Sequence, residues 1–275
     1  MKLSEIRQIL AEQGIRLTKS LGQNFLHDAN QLRRIVAAAG LDLADKVLEI
    51  GPGLGPLTEL LVAQAGEVFA IEKDARLVDV LTKRFAKKRS LTVVHADALE
   101  FLKREGRNWS DWKVVANLPY SVGSPILVEL AQAERPPKLM TVTLQLEVVQ
   151  RLVAEVDSDN YGLLTLLVQL NYEDAAFFKI PSGSFFPPPD VDSACITLKR
   201  RVNLLLDHKL QPTFTKIVKG SFSQRRKMMI KLLREDWPAE RVKAAFQSAQ
   251  IPEAARAETV SLQQYVILTR ELSKS

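Results

Sequence analysis

A doubly wound, mainly parallel α/β sheet of seven strands, followed by a small all-helical domain, is the fold class that this 275-residue sequence predicts. Three observations predict it. Between Lys46 and Ala116 four short apolar runs alternate with helix-period segments, the pattern of consecutive βαβ units. Three more strand-like runs follow before Leu198, the last two close together, which points to an antiparallel edge. Beyond Arg201 no strand-like run occurs, and periodicity, charge and composition change together between residues 200 and 210. Two domains are therefore expected, 1–204 and 205–275.

The elements follow in order. Residues 3–13 carry Leu3, Ile6, Ile9 and Leu10 at a helical period, and Gly14 ends the helix. Residues 19–26 read as a loop, and a helix through Leu32, Ile35 and Val36 runs to Gly40. The four early strands are 47–50, 67–71, 91–94 and 113–116. Residues 139–144 and 175–178 add strands, with helices over 147–156 and 161–170 between them, and 194–198 closes the sheet. The last quarter reads as four helices, 212–219, 223–234, 238–250 and 262–272, the last opened by a capping box of Ser261 and Gln264.

Composition narrows the function classes. With 46% hydrophobic and 25% charged residues, 12 Gly and 13 Pro, the chain is an ordinary soluble globular protein, neither disordered nor collagen-like. Cys195 is the sole cysteine, so an internal disulfide and a cysteine zinc site are excluded and a reducing compartment is expected. His27, His95 and His208 are far apart in sequence, and no metal site is expected. Met1 to Arg7 is broken by charge before any apolar run begins, unlike an export signal. The longest uncharged apolar stretch, 161–172, is shorter than the roughly 20 residues a membrane span needs. A cytoplasmic protein with no membrane partner is expected.

Charge is divided unevenly. Residues 1–198 hold 22 Lys and Arg against 25 Asp and Glu, whereas residues 199–275 hold 16 against 7. Such asymmetry points to a basic C-terminal module facing nucleic acid or an anionic membrane.

Glu49-Ile50-Gly51-Pro52-Gly53-Leu54-Gly55 follows the first strand of the α/β region and precedes a helix. Glycines there permit a sharp turn and close backbone approach to a ligand. Pro56 stands where a dinucleotide fingerprint has its third glycine, and no Gly-Lys-Ser/Thr ending is present, which argues against NAD, FAD and ATP hydrolysis. Glu72, Asp97 and Asn117 end the next three strands. Ligands of open α/β sheets bind outside the carboxyl ends of strands, so these residues are expected to converge on one crevice, Glu72 placed to accept ribose hydroxyls.

Asn117-Leu118-Pro119-Tyr120 resembles the Asn/Asp-Pro-Pro-Tyr type of motif of amino-methyltransferases. An adenine exocyclic amine is a poor nucleophile because its lone pair is delocalised into the ring. An Asn oxygen and the adjacent backbone carbonyl can accept its two N–H groups and favour a pyramidal nitrogen. Pro119 stiffens the turn, and Tyr120 can stack on a base.

Taken with the 19–26 segment, 49–55, the Phe185-x-Pro187-x-Pro189-x-Val191-Asp192-Ser193 motif, Phe222 to Lys227 and Arg256-Ala257-Glu258, the chain resembles the bacterial small-subunit ribosomal RNA adenine dimethyltransferases over nearly its whole length. That resemblance implies a Rossmann-like class I methyltransferase domain, S-adenosylmethionine as cofactor, and dimethylation of two adjacent adenosines near the 3′ end of 16S RNA in an immature 30S-type subunit, by a monomer. It further implies that Asn24 and Leu26 belong to a loop closing over the cofactor. Gly51 lies beneath its methionine part, Glu72 holds its ribose, and Asp97 faces its adenine. Asn117 serves both cofactor and target amine, and Tyr120 and Phe185 sandwich the flipped base. Ser121 to Ser124 and Asp190 depart from the family pattern. Arg225, Arg226 and Lys227, at the start of a helix with Lys231 one turn on, are the expected RNA contacts. Alternatives are a macrolide-resistance type of large-subunit RNA methyltransferase, a non-catalytic RNA-binding assembly factor on the same fold and, more remotely, a small-molecule methyltransferase.

Overall fold

The structure is a computed structural model and describes residues 1–15, 17, 23–224 and 226–274. The chain divides into two compact units, Met1–Val149 with Asp174–Arg200, and Gln150–Glu173 with the residues from Arg201 onward.

In the first unit, helix α1 (Leu3–Glu12) ends at Gln13, and Gly14 takes φ +60°. A two-residue strand β1 (Phe25–Leu26) leads to α2 (Ala29–Ala39), whose N-cap Asp28 accepts from the Asn30 and Gln31 amides and whose C-cap Gly40 is left-handed. The βαβ succession is then β2 (Lys46–Ile50), α3 (Pro56–Gln64), β3 (Glu67–Glu72), α4 (Ala75–Arg84), β4 (Leu91–His95), α5 (Ala98–Glu105), β5 (Trp112–Asn117), α6 (Gly123–Gln132) and β6 (Leu139–Gln145). The chain continues through α7 (Leu146–Leu152), α8 (Leu163–Gln169), β7 (Tyr172–Ile180), β8 (Phe185–Phe186) and β9 (Ser193–Arg200).

Seven strands form one sheet in the order β4-β3-β2-β5-β6-β9-β7, with β2 parallel to β3 and β5, and β6 antiparallel to β9. The predicted class is thus the observed one, although β9 does not close the sheet. It pairs with β6 from Leu139 opposite Lys199 to Gln145 opposite Ser193, and the earlier strand β7 takes the edge. Central strands β2 and β3 are buried on both faces, hence the unbroken apolar run 68–71 of β3 and the run 47–50 of β2, interrupted only by Glu49. Strand order reverses between β2 and β5, which opens a crevice at their carboxyl ends. The short pairing of β1 with β8, Phe25 opposite Phe186 and Leu26 opposite Phe185, was not anticipated.

The second unit is helical apart from the start of β7, with α9 (Gln211–Ser221), α10 (Met229–Leu233), α11 (Ala239–Ser248) and α12 (Leu262–Leu272). Segment 150–173, expected within the first domain, packs here instead. The Tyr161 hydroxyl donates to the Val260 carbonyl at 2.9 Å, and the Asp157 amide to that of Glu258 at 2.9 Å. The Ser261–Gln264 capping box forms as predicted. The helix expected over 223–234 shrinks to the five residues of α10. The Ser223 hydroxyl turns back onto the Gly220 carbonyl at 2.7 Å, the Met229 amide is taken by the Ala255 carbonyl at 3.0 Å, and the described residues 223, 224 and 226–228 are not helical. Lys227 and Lys231 therefore do not share a helix face.

Candidate active site

The crevice is built where the ends of β2, β3, β4 and β5 meet the strap formed by Gln23 to Leu26, and Glu49, Gly51, Gly53, Glu72, Asp97, Asn117, Pro119 and Ser121 are among its walls. After β2 the chain must turn at once to start α3. Gly51 does so at φ +67° and presents no side chain to Pro119, whose ring carbons lie 3.4 Å from where a Cβ would stand. At Gly53, φ +61°, a Cβ would come within 2.8 Å of the Phe25 ring. These glycines let the turn, the 117–120 loop and the strap approach one another closely.

Glu72 is a tie rod of that turn. Its Oε2 accepts from the Gly53 amide at 3.0 Å and its Oε1 from the Asp74 amide at 2.9 Å. Burial raises its pKa above the ordinary carboxylate value, and the backbone amides oppose that rise. Asp97 caps α5 through Oδ1, which accepts from Leu99 and Glu100, while Lys73 Nζ lies 2.8 Å from Oδ2. That ammonium, with the capping amides, holds the Asp97 carboxyl below its usual value against the opposing effect of burial.

At the end of β5, the Asn117 side chain divides its two functions. Its Nδ2 donates to the Asn24 backbone carbonyl at 3.0 Å. Its Oδ1 is buried with no partner among the described residues, and the residue lines the crevice. The amide is thereby oriented with its acceptor free. Leu118 is 1% exposed and donates its amide to the Thr143 carbonyl at 3.1 Å, which locks the loop to β6. Pro119 lines the crevice, and Tyr120, half-buried, bonds through its hydroxyl to the Ser193 hydroxyl.

Sequence reasoning brought Asn24, Leu26, Gly51, Glu72, Asp97, Asn117 and Pro119 to this crevice, and the structure places all seven on its walls. Leu118 and Tyr120 flank it. Phe185 is different. The resemblance implies that its ring faces a flipped base, but β1 pairing draws it into the core with Leu26, Leu32 and Ile35, and it is 2% exposed. Arg225 lies outside the described residues, as do Lys19 to Gly22 of the strap motif. Arg226, Lys227 and Lys231 are exposed in the second unit.

Glu49 was missed. It is 1% exposed, its Oε2 has no partner among the described residues, and it shares the crevice with Glu72. Burial pushes its carboxyl up to about 8, the Thr58 hydroxyl tempering and Glu72 adding to the rise. The available signal was an acid within the apolar run Val47-Leu48-Glu49-Ile50, where a charge has no reason to be buried unless something meets it. No cluster of three or more His, Cys, Asp or Glu able to hold a metal occurs among the described residues, nor any helix long and apolar enough to cross a membrane.

Comparisons with known proteins converge. A model of the family described as Ribosomal RNA adenine dimethylase matches residues 14–274. The chain is 37% identical over 97% of its length to Ribosomal RNA small subunit methyltransferase A of Geobacillus thermodenitrificans, covering 94% of that protein. It is 38% identical over 94% of its length to the protein of that name from Geobacter sulfurreducens, covering 96% of it. Among solved structures, it resembles a dimethyladenosine transferase of Plasmodium falciparum with TM-score 0.76 at 24% identity, over 89% of this chain and 95% of that one. It also resembles the 23S rRNA methyltransferase ErmE with TM-score 0.67 at 28% identity, over 91% and 100%.

Proposed function

Because the chain belongs to the ribosomal RNA adenine dimethylase family, we propose that its crevice holds S-adenosylmethionine and that it dimethylates two adjacent adenosines near the 3′ end of small-subunit RNA during ribosome assembly. The observation that carries this reading is the divided amide of the crevice residue Asn117, with Nδ2 committed to Asn24 and a buried Oδ1 that has no partner among the described residues. An acceptor held in that way suits the N–H of an exocyclic amine.

The residues present fit the cofactor. Two buried acids, Glu49 and Glu72, line the crevice, and Glu49 Oε2 has no hydrogen-bond partner among the described residues. A ligand carrying an ammonium and a sulfonium supplies the charge that such a site lacks. When bound, S-adenosylmethionine supplies an electrophilic methyl group on sulfur.

The chain's own residues do the rest. Glu49 offers its unpartnered oxygen to the amino group of the methionine part. Glu72, fixed by two backbone amides, keeps lone pairs for the ribose hydroxyls, and Asp97 meets the adenine. Asn117 Oδ1 and the Leu118 carbonyl accept from the target amine, localising its lone pair toward the methyl group, and Tyr120 stacks on the extruded base. No strong base is needed, because the amine becomes acidic only once methylated. Exposed Arg226, Lys227 and Lys231, joined by Arg225, form the RNA-facing part of the basic C-terminal domain, and a monomer engages an immature small subunit in the cytoplasm.

Incubation of the protein and labelled cofactor with unmodified small subunits, and separately with large-subunit RNA, tests the reading by nucleoside analysis. Dimethyladenosine in the small-subunit RNA alone is expected. Its appearance only in the large-subunit RNA would assign the chain to the large-subunit type, and label in neither would overturn the reading.

A further inference from the structure

We infer that Ser193 is a positioning residue for the target adenine, acting through the Tyr120 hydroxyl. The inference rests on the reading of Tyr120 as the base-stacking side chain and adds to it the means by which that ring is held.

Ser193 opens β9 and is 0% exposed. Its place is set on both sides. It lies opposite Gln145 in the β6–β9 ladder, and its neighbour Asp192 accepts the Leu146 amide at 3.0 Å through its carbonyl and the Ser182 amide at 3.1 Å through Oδ1. The hydroxyl is therefore a fixed point at the end of the sheet. Tyr120 is in the opposite situation. It sits in the turn between β5 and α6, between Pro119 and Ser121, two residues of the crevice wall. The backbone there is held by the Leu118 amide on Thr143 and the Val122 amide on the Pro119 carbonyl at 3.2 Å, neither of which fixes the tyrosine ring. The hydroxyl bond to Ser193 is the polar contact that does so. A phenol hydroxyl leaves water only when a partner replaces it, and this one is met by a buried hydroxyl on rigid backbone.

Asn117 is oriented on one side by the strap carbonyl of Asn24, and Tyr120 on the other by Ser193. The acceptor and the stacking ring thus take their orientations from two segments distant in sequence. Since the bond serves the base rather than the cofactor, its loss is expected to slow methyl transfer and leave cofactor affinity alone.

Small-subunit RNA methylation at saturating cofactor, with cofactor Kd by calorimetry and thermal melting of each variant, tests this. Ser193→Ala and Tyr120→Phe are each expected to lower kcat about tenfold, the scale of a small misplacement of a reacting partner, with cofactor Kd within about twofold. The double variant is expected to be no slower than either single one, because both remove one bond, and Ser193→Thr to restore most of the rate. Unchanged kcat in Ser193→Ala and Tyr120→Phe, beside a large loss in Tyr120→Ala, would overturn the inference while the stacking role stands. Multiplying losses in the double variant would overturn it too. Full turnover by Tyr120→Ala would overturn the stacking role itself and the inference with it.

Discussion

Replacing Glu49 by Gln is expected to stabilise the cofactor-free protein while weakening cofactor binding. The Glu49 carboxyl is raised from 4.5 to about 8, chiefly by burial. Between those values the native state keeps a proton that the unfolded chain has released, so stability falls as pH rises across that window. At about 1.4 kcal/mol per pKa unit, the wild type forgoes roughly 4 kcal/mol at pH 7.5 and roughly 1 kcal/mol at pH 5.5. A glutamine of the same shape has no proton to lose. Urea unfolding of the cofactor-free protein, followed by fluorescence of the buried pair Trp109 and Trp112, should show Glu49→Gln the more stable by up to about 4 kcal/mol at pH 7.5, the gap closing to about 1 kcal/mol at pH 5.5. Calorimetry should show its cofactor affinity reduced by about tenfold or more at pH 7.5, the scale of losing a charge-assisted hydrogen bond. A gap of equal size at both pH values, or a wild type more stable at pH 7.5, would refute the argument that a buried acid is held for a cationic ligand.

Another buried carboxylate of the first unit runs the opposite way. Despite its burial, Asp45 is held down to about 2, from 3.8, by the ammonium groups of Lys113 and Lys138 at 2.7 and 2.8 Å. Its contribution, about 2 kcal/mol, is present above pH 3.8 and lost as pH falls toward 2; Asp45→Asn should remove it, and equal acid midpoints for variant and wild type would contradict this. Gly53→Ala forces a Cβ to 2.8 Å from the Phe25 ring at a left-handed φ. A loss of about 1–2 kcal/mol in stability is expected, together with weaker cofactor binding by titration. Alanine at Arg226, Lys227 and Lys231 should weaken RNA binding in filter assays and lower the salt slope by about 0.7–0.9 for each phosphate no longer neutralised, with cofactor Kd unchanged.

Legibility in the sequence followed the range of the interactions concerned. The parallel strands of the first unit could be read because each is a local apolar run with a local helix behind it. Gly51, Glu72, Asp97 and Asn117 were legible as a set because a βαβ succession puts every strand end on the same edge. The pairing of Phe25 and Leu26 with Phe186 and Phe185 spans some 160 residues, and nothing local encodes it; for that reason Phe185, expected against the flipped base, proves to be core. Likewise, residues 223–228 carry a helical pattern, yet the Met229 amide is claimed by Ala255. The insertion of β9 between β6 and β7 and the packing of 150–173 in the second unit are also long-range outcomes. Glu49 was visible as an anomaly, but its meaning depends on burial, which sequence does not give.

The central claim is that Asn117 presents a free acceptor to the target amine. Single-turnover methyl transfer by Asn117→Ala, with cofactor and small subunits both saturating, tests it most directly. A rate lowered by more than about a hundredfold, with cofactor Kd within about tenfold and melting unchanged, is the predicted result; near-normal transfer would contradict it.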